Sequence, residues 1–367
     1  MKKINVTRTS LPRFEEYCAE IRKLWDTHIL TNMGEEHEAF RAELERYLEV
    51  PHAVLFTNGH LALEAALAAL RLPAGAEVIT TPLSFVSTTH AIVRSGLTPV
   101  FCDVRQEDGT LDPDRLEDLL TERTAAILPV HVYGHVCDVE RIGAFAQRHG
   151  LKVLYDAAHA FGVRYRGVPA VRFGDAAVLS FHATKVFSTV EGGAVCTADA
   201  SLLQVLEDSK NFGIRDEESC AAVGGNAKMS ELQAAMGLCN LRHADAEIAR
   251  RRAHAAHYRA LLSGRPGLRL PAPREGVESN GAYFPVVFED RAARDAAACR
   301  LEAAGVHARK YFYPLIPDLA CYAGTSYATR ADVPVARRFA EGVLCLPLYS
   351  DLTEEEVERI AATAARS

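Results

Sequence analysis

Two ionisable residues give this sequence its chemical interest. Lys185 stands in Ser180-Phe-His-Ala-Thr-Lys185-Val-Phe-Ser-Thr-Val-Glu191-Gly192-Gly193, directly after an apolar run that predicts a buried strand. A lysine at the carboxyl end of such a strand, among small and apolar neighbours, loses hydration, and burial disfavours the ammonium. The free amine that results is a nucleophile and a base. Alone, a lysine in such a loop is more often an ordinary surface residue. Asp156 changes the weighing. It ends the apolar run Lys152–Asp156, is followed by Ala-Ala-His159-Ala-Phe-Gly162, and precedes Lys185 by one strand and its connection. A buried carboxylate requires a cation or hydrogen-bond donors. One cation that suits it is the protonated ring nitrogen of pyridoxal 5'-phosphate, which works as an electron sink when an anion stands beside it.

A third segment, Phe56-Thr57-Asn58-Gly59-His60-Leu61, combines a strand end, a polar turn and the start of an Ala/Leu-rich helix. Backbone N–H groups and the dipole at such a start suit a phosphate. The same pattern also serves as a plain helix cap. The sequence has no G-x-G-x-x-G and no G-x-x-x-x-G-K-[ST], so the anion need not be a dinucleotide or nucleoside triphosphate.

These residues need a scaffold, and the patterning predicts one. Apolar runs at Ala53–Phe56, Glu77–Thr81, Pro99–Cys102, Ala125–Val130, Lys152–Asp156, Ala176–Phe181 and Gly193–Thr197 read as strands. Helical patterns lie between them at Leu61–Leu70, Ser87–Ser95, Asp112–Leu120, Val139–His149 and Leu202–Ser209. The alternation predicts an α/β fold with a mostly parallel sheet between helices and ligands at the carboxyl ends of the strands. Ser230–Leu262 reads as one long helix, closed by Ser263-Gly-Arg-Pro-Gly267. A strand at Ala282–Phe288 and helices at Arg291–Ala304, Val335–Glu341 and Thr353–Ala364 follow. The expected division is residues 1–235 as an N-terminal segment with a large domain, and 236–367 as a connector helix with a small α+β domain.

With 367 residues, 49 % hydrophobic, and a net charge of −7, the chain has material for a large core and no bulk attraction to nucleic acid. It has no apolar run long enough to span a membrane and no secretory signal at its start. Nine scattered cysteines without a Cys-x-x-Cys read as reduced thiols in a cytoplasmic protein. His131 and His135 are four apart, but Val-Tyr-Gly between them predicts a turn, so no metal site is expected.

The ordered set Asn58-Gly-His-Leu-Ala-Leu63, Leu83-Ser-Phe85-Val-Ser-Thr88, Pro129-Val-His131-Val-Tyr133-Gly134, Asp156-Ala-Ala-His159-Ala-Phe-Gly162, Ser180-Phe-His-Ala-Thr-Lys185 and Glu191-Gly-Gly193 resembles the DegT/DnrJ/EryC1/StrS aminotransferases. The resemblance runs from about residue 27 to 360 and implies a fold-type I, pyridoxal phosphate-dependent sugar aminotransferase with a seven-stranded sheet. It further implies that Lys185 is the lysine joined to the cofactor and Asp156 the partner of its ring nitrogen. Phe85 would stack on the ring, His159 would sit beside the 3-hydroxyl, and Asn58, Gly59, His60 and Ser180 would hold the phosphate. Where relatives usually carry Thr or Ser, this chain has His60, whose imidazole N–H could take over the lost contact. Asn226, in Gly225-Asn-Ala-Lys228-Met229, would reach the phosphate in the neighbouring subunit of a homodimer with composite sites. Lys228, Tyr311 and Tyr313 are candidates for substrate contact.

The run Ser180–Gly193 looks most like the branch that aminates dTDP-4-keto-6-deoxy-D-glucose at C4 with L-glutamate. A 3-keto-sugar or aminocyclitol aminotransferase, a sugar dehydratase and a non-enzymatic regulator are the alternatives. Lys185 argues against the dehydratase branch, which carries His at that position. Antibiotic-sugar and surface-polysaccharide pathways both stay open.

Overall fold

The computed structural model describes residues 3–366. Its main sheet has seven strands: β1 (His52–Phe56), β2 (Glu77–Thr80), β3 (Thr98–Phe101), β4 (Thr124–Leu128), β5 (Lys152–Asp156), β6 (Ala176–Ser180) and β7 (Gly193–Thr197). Their spatial order is β1-β7-β6-β5-β4-β2-β3. The ladders joining β6, β5, β4, β2 and β3 are parallel, whereas β7 runs antiparallel to both β6 and β1. The helices that bear on the site are α1 (Glu35–Leu48), α2 (Gly59–Ala69), α3 (Ser87–Arg94), α4 (Val139–His149), α5 (Leu203–Lys210), α6 (Glu231–Leu241), α7 (Ala244–Leu262) and α8 (Arg291–Ala303).

The strands are apolar without interruption because both faces are covered. Ala53, Leu55, Ile79, Ile127, Val153, Tyr155 and Leu179 face one core, which holds Phe40 and Leu44 of α1 and Ile142 and Phe145 of α4. Their neighbours Val54, Phe56, Val78, Leu128, Leu154 and Val178 turn the other way, onto Ala62, Leu63 and Ala66 of α2, Ile92 of α3 and Leu206 of α5. Alternation of this kind is what a period of two requires.

Several expectations are corrected. Ser230–Leu262 is two helices, broken at Arg242 and His243. At the break, Glu16 on the helix Phe14–Ile21 lies 3.2 Å from Arg242 Nη1 and 2.9 Å from His243 Nε2. The bend lays α6 against α1, where a Cβ on Gly237 would come within 2.8 Å of the Phe40 ring. The expected helix Asp112–Leu120 contracts to a 3-10 turn at Pro113–Arg115 and a single α turn at Leu116–Leu119. Near the start of the chain, Ile4–Asn5 pairs in parallel with Val306–His307.

Beyond α7, Leu268–Arg269, Phe284–Phe288 and Val343–Leu346 form a three-stranded antiparallel sheet. It packs on a core of Tyr258, Leu301, Leu344 and Ile360. A further core joins Leu83 and Tyr133, on connections leaving the main sheet, to Phe312 and Phe339 of the C-terminal part. Among the described residues no helix is long and apolar enough to cross a membrane.

Glu231 locks α6 to α1. Its fully buried carboxylate accepts from the backbone N–H of Gly34 at 2.9 Å and of Glu36 at 2.8 Å. A carboxylate there caps the amino end of α1 and meets the positive end of its dipole. Glu231→Ala leaves these donors buried and unpaired, so urea denaturation is expected to show about 1–3 kcal/mol of lost stability, with Glu231→Gln losing less.

Candidate active site

The carboxyl ends of β1, β4, β5 and β6 open into a cleft of about 710 Å³. Its lining includes Asn58, Gly59, His60, Phe85, Asp156, His159, Ser180, Lys185 and Tyr311, so nine of the sequence-derived candidates share one cavity. Asn58 follows β1 and caps α2, accepting from the Leu61 N–H at 2.9 Å. Packing here is close. A Cβ on Gly59 would lie 2.9 Å from Ser180 Cβ, and one on Gly193 would lie 2.7 Å from the Gly59 nitrogen. Glycine at both positions therefore lets the first turn of α2, with its free N–H groups, settle against the ends of β6 and β7.

Lys185 rides on a pinned loop. Phe181 N–H donates to the Gly192 carbonyl at 2.8 Å, Thr189 N–H to the Phe181 carbonyl at 3.0 Å, and Lys185 N–H to the His182 carbonyl at 2.9 Å. From α6, Gln233 Nε2 donates to the Glu191 carbonyl at 2.7 Å and Asn240 Nδ2 to the Ser188 carbonyl at 2.8 Å. Beneath the loop Phe187 stacks on Phe161 at 4.3 Å and meets Phe181 edge-on at 5.2 Å. Lys185 itself is half-buried on the cleft wall. Burial draws the Lys185 ammonium down to about 8, against the opposing attraction of Asp156.

Asp156 is 4 % exposed. Thr88 Oγ1 donates to its Oδ2 at 2.7 Å, and the Ala158 N–H to its Oδ1 at 3.1 Å. Ser84 Oγ lies 2.9 Å from Thr88 Oγ1, whose hydrogen is committed to Asp156, so Ser84 donates and a hydroxyl relay backs the carboxylate. Burial nevertheless pushes the carboxyl above its ordinary range, with Thr88, Ala158 and Lys185 pulling the other way. A cation seated against it would be favoured. At His159 burial holds the ring neutral, far below the usual histidine range. The Tyr133 N–H donates to its Nδ1 at 3.1 Å, so the hydrogen is on Nε2 and the ring offers the cleft a donor.

Phe85 is no core residue: it lines the cleft and is 59 % exposed, a flat apolar face left for a ring. His60 departs from expectation. Its Nδ1 is 2.8 Å from Ser87 Oγ and its Nε2 3.2 Å from Glu64 Oε1, so both ring nitrogens have protein partners and Ser87 brings the hydroxyl to this side of the cleft. Tyr313 is not on the cleft; it lies under the guanidinium groups of Arg294, at 4.6 Å, and Arg291, at 5.4 Å. Asn226 and Lys228 also lie off it, bonded to each other at 2.9 Å on a loop beside the end of β1, where Thr57 N–H donates to the Ala227 carbonyl. His131 and His135 diverge, the first stacked on Tyr155 at 4.6 Å and the second donating to the Asp108 carbonyl at 2.9 Å. Ser84, Ser87, Thr88 and Tyr133 stand inside the motifs quoted above but had no role assigned to them, and Thr88 was visible as a hydroxyl one helical turn after Ser84. Tyr283 and Arg309 were not singled out, and nothing local marks them.

A nucleophilic amine and a buried carboxylate above the carboxyl ends of a mostly parallel sheet, beside an anion cradle, define an enzyme of amine chemistry. The chain belongs to the DegT/DnrJ/EryC1/StrS aminotransferase family, whose family model matches residues 13–364, and it is an aminotransferase. It is 42 % identical over 364 residues to dTDP-4-amino-4,6-dideoxy-D-glucose transaminase of Escherichia coli, covering 98 % of this chain and 97 % of that one. It is 36 % identical to dTDP-3-amino-3,4,6-trideoxy-alpha-D-glucose transaminase of Streptomyces venezuelae, covering 89 % of this chain and 86 % of that one. Among solved structures, DesI with its TDP-sugar product superposes with a TM-score of 0.92 at 35 % identity, covering 99 % of this chain and 92 % of that one. Spr1654 of Streptococcus pneumoniae, solved in forms designated PLP and PMP, gives TM-scores of 0.89 and 0.90 at 26 % identity, covering 97 % of this chain and 97 % and 96 % of those.

Because the Lys185 amine is neutral above about pH 8, its reductive modification by a small aldehyde, read by peptide mass mapping of protein freed of cofactor, is expected to rise through that pH. Removing the attraction of Asp156 with Asp156→Asn moves the midpoint lower still.

Proposed function

We propose that this chain transfers the amino group of L-glutamate to C4 of dTDP-4-keto-6-deoxy-D-glucose, using pyridoxal 5'-phosphate in a homodimer. The observation that carries the chemistry is that the Lys185 amine, its pKa drawn down by burial, shares one cleft with the buried carboxylate of Asp156. The choice of sugar rests on similarity along the whole chain to 4-amino-4,6-dideoxyglucose transaminases. Nine cysteines, none in a disulfide, agree with a reducing, cytoplasmic setting.

The donor set suits the cofactor. The N–H groups at the start of α2 and the Ser180 hydroxyl would hold its phosphate, Phe85 would cover its ring, and Asp156 would keep the ring nitrogen protonated. His159 Nε2–H would donate to its ring oxygen. Bound there, pyridoxal phosphate supplies the electron sink for an α-carbanion and carries nitrogen between the two substrates. Lys185 does the proton work: once its nitrogen is freed by the incoming amine, it takes the proton from the donor's α-carbon. The second half of the cycle repeats these transfers in reverse on the keto-sugar, so the order is ping-pong. Asn226 and Lys228, displaced from their own chain's cleft, suit the site of a second copy.

Lys185→Ala is expected to abolish turnover, and Asp156→Asn to reduce kcat at least about 100-fold. Incubation with glutamate and paired 3-keto and 4-keto dTDP-6-deoxyhexoses, read by mass and NMR, is expected to yield the 4-amino sugar; exclusive 3-amino product overturns the assignment. Composite sites have their own test. Lys185→Ala chains, inactive alone, and Asn226→Ala chains, weak alone, are expected to regain activity when mixed and allowed to exchange, because one site of the hybrid is then intact. No recovery in a confirmed hybrid overturns the shared site.

A further inference from the structure

Both substrates in this reading are anions, a dicarboxylate and a nucleoside diphosphate sugar, and they enter one cleft in turn. Two of the lining residues are Lys or Arg: Lys185, engaged in the chemistry, and Arg309. Other basic side chains of the C-terminal part, Lys310 next in sequence among them, are already committed. Lys310 Nζ lies 2.6 Å and Arg294 Nε 2.7 Å from Asp295 Oδ1, and Arg291 Nε is 3.6 Å from Asp295 Oδ2. Among the described residues no ion pair holds Arg309.

Its placement is firm. Arg309 N–H donates to the Cys345 carbonyl at 3.1 Å, and Cys345 N–H returns a bond to the Arg309 carbonyl at 2.8 Å. The guanidinium carbon sits 5.1 Å from the Tyr311 ring centroid, and the Tyr311 carbonyl accepts from the Tyr133 hydroxyl. Backbone and aromatic face thus steady a planar fork at the cleft, on the side formed by the C-terminal part. Such a fork matches carboxylate and phosphate oxygens alike, two bonds at a time.

We infer that Arg309 is a shared anion anchor, binding a carboxylate of glutamate in the first half-reaction and the diphosphate of the nucleotide sugar in the second. The inference rests on the substrates named above. It requires that the two anions exclude each other, so 2-oxoglutarate must leave before the sugar is seated.

The test is calorimetric titration of the holoenzyme with two unreactive probes, dTDP and glutarate. In the wild type each is expected to displace the other. Arg309→Gln is expected to raise both dissociation constants about tenfold or more, and Arg309→Lys, which keeps charge without the fork, to raise them less. The visible absorbance of bound cofactor and the melting temperature should stay unchanged in both variants, and KM for both substrates should rise with kcat little altered. If Arg309→Gln leaves either probe's affinity unchanged, or if dTDP and glutarate bind together, the shared anchor is wrong. The titrations need no turnover, so a failure of the sugar assignment, seen as absent amino-sugar product, is distinguishable from a failure of the anchor.

Discussion

A carboxylate taken out of water at the end of β5 must be answered by something, and much of the molecule is arranged around that demand. Asp156 has two hydrogen bonds, from Thr88 and from the backbone after it, yet burial still lifts its carboxyl above the ordinary range. Two neutral donors do not match the hydration that a charge gives up. The remainder is available to a cation seated against it. Lys185, half-buried on the same cleft wall, is shifted with the opposite sign: burial that raises a carboxyl lowers an ammonium. One environment thus prepares both groups.

The sheet delivers these groups because its strands end together. Five parallel strands and β1 share a direction, and β7, running the other way, starts where they finish. Side chains after β1, β2, β5 and β6 consequently meet at one rim. The C-terminal part closes the opposite side with Tyr283, Arg309, Tyr311 and Phe312. Tyr133 ties the halves together, donating its N–H to His159 and its hydroxyl to the Tyr311 carbonyl.

The legible parts of the sequence were those in which one physical cause acts locally. Strands buried on both faces read as apolar runs, so all seven were found within about a residue or two, and Lys185 and Asp156 were recognisable from the runs they follow. The direction of β7 was hidden, since Gly193–Thr197 has the same texture whichever way it runs. The break at Arg242 and His243 was hidden as well, because helix formers lie on either side and no glycine or proline marks it. Ile4–Asn5 is too short a strand to carry a pattern. His60 and Tyr313 could be named but not aimed: whether an imidazole faces a ligand or a serine, and whether a tyrosine faces a cleft or an arginine, depends on residues from other elements.

Ser180 and Gly193 stand opposite each other in the ladder. The segment that bears the reactive amine accordingly leaves and re-enters the sheet at a single rung, about 5 Å across. Between the rung and the amine the path is short, so a residue added or lost among 181–184 would displace the nitrogen, whereas exchanges among side chains of like size leave the path intact. Evolution or engineering can therefore vary what this segment is made of far more freely than how long it is.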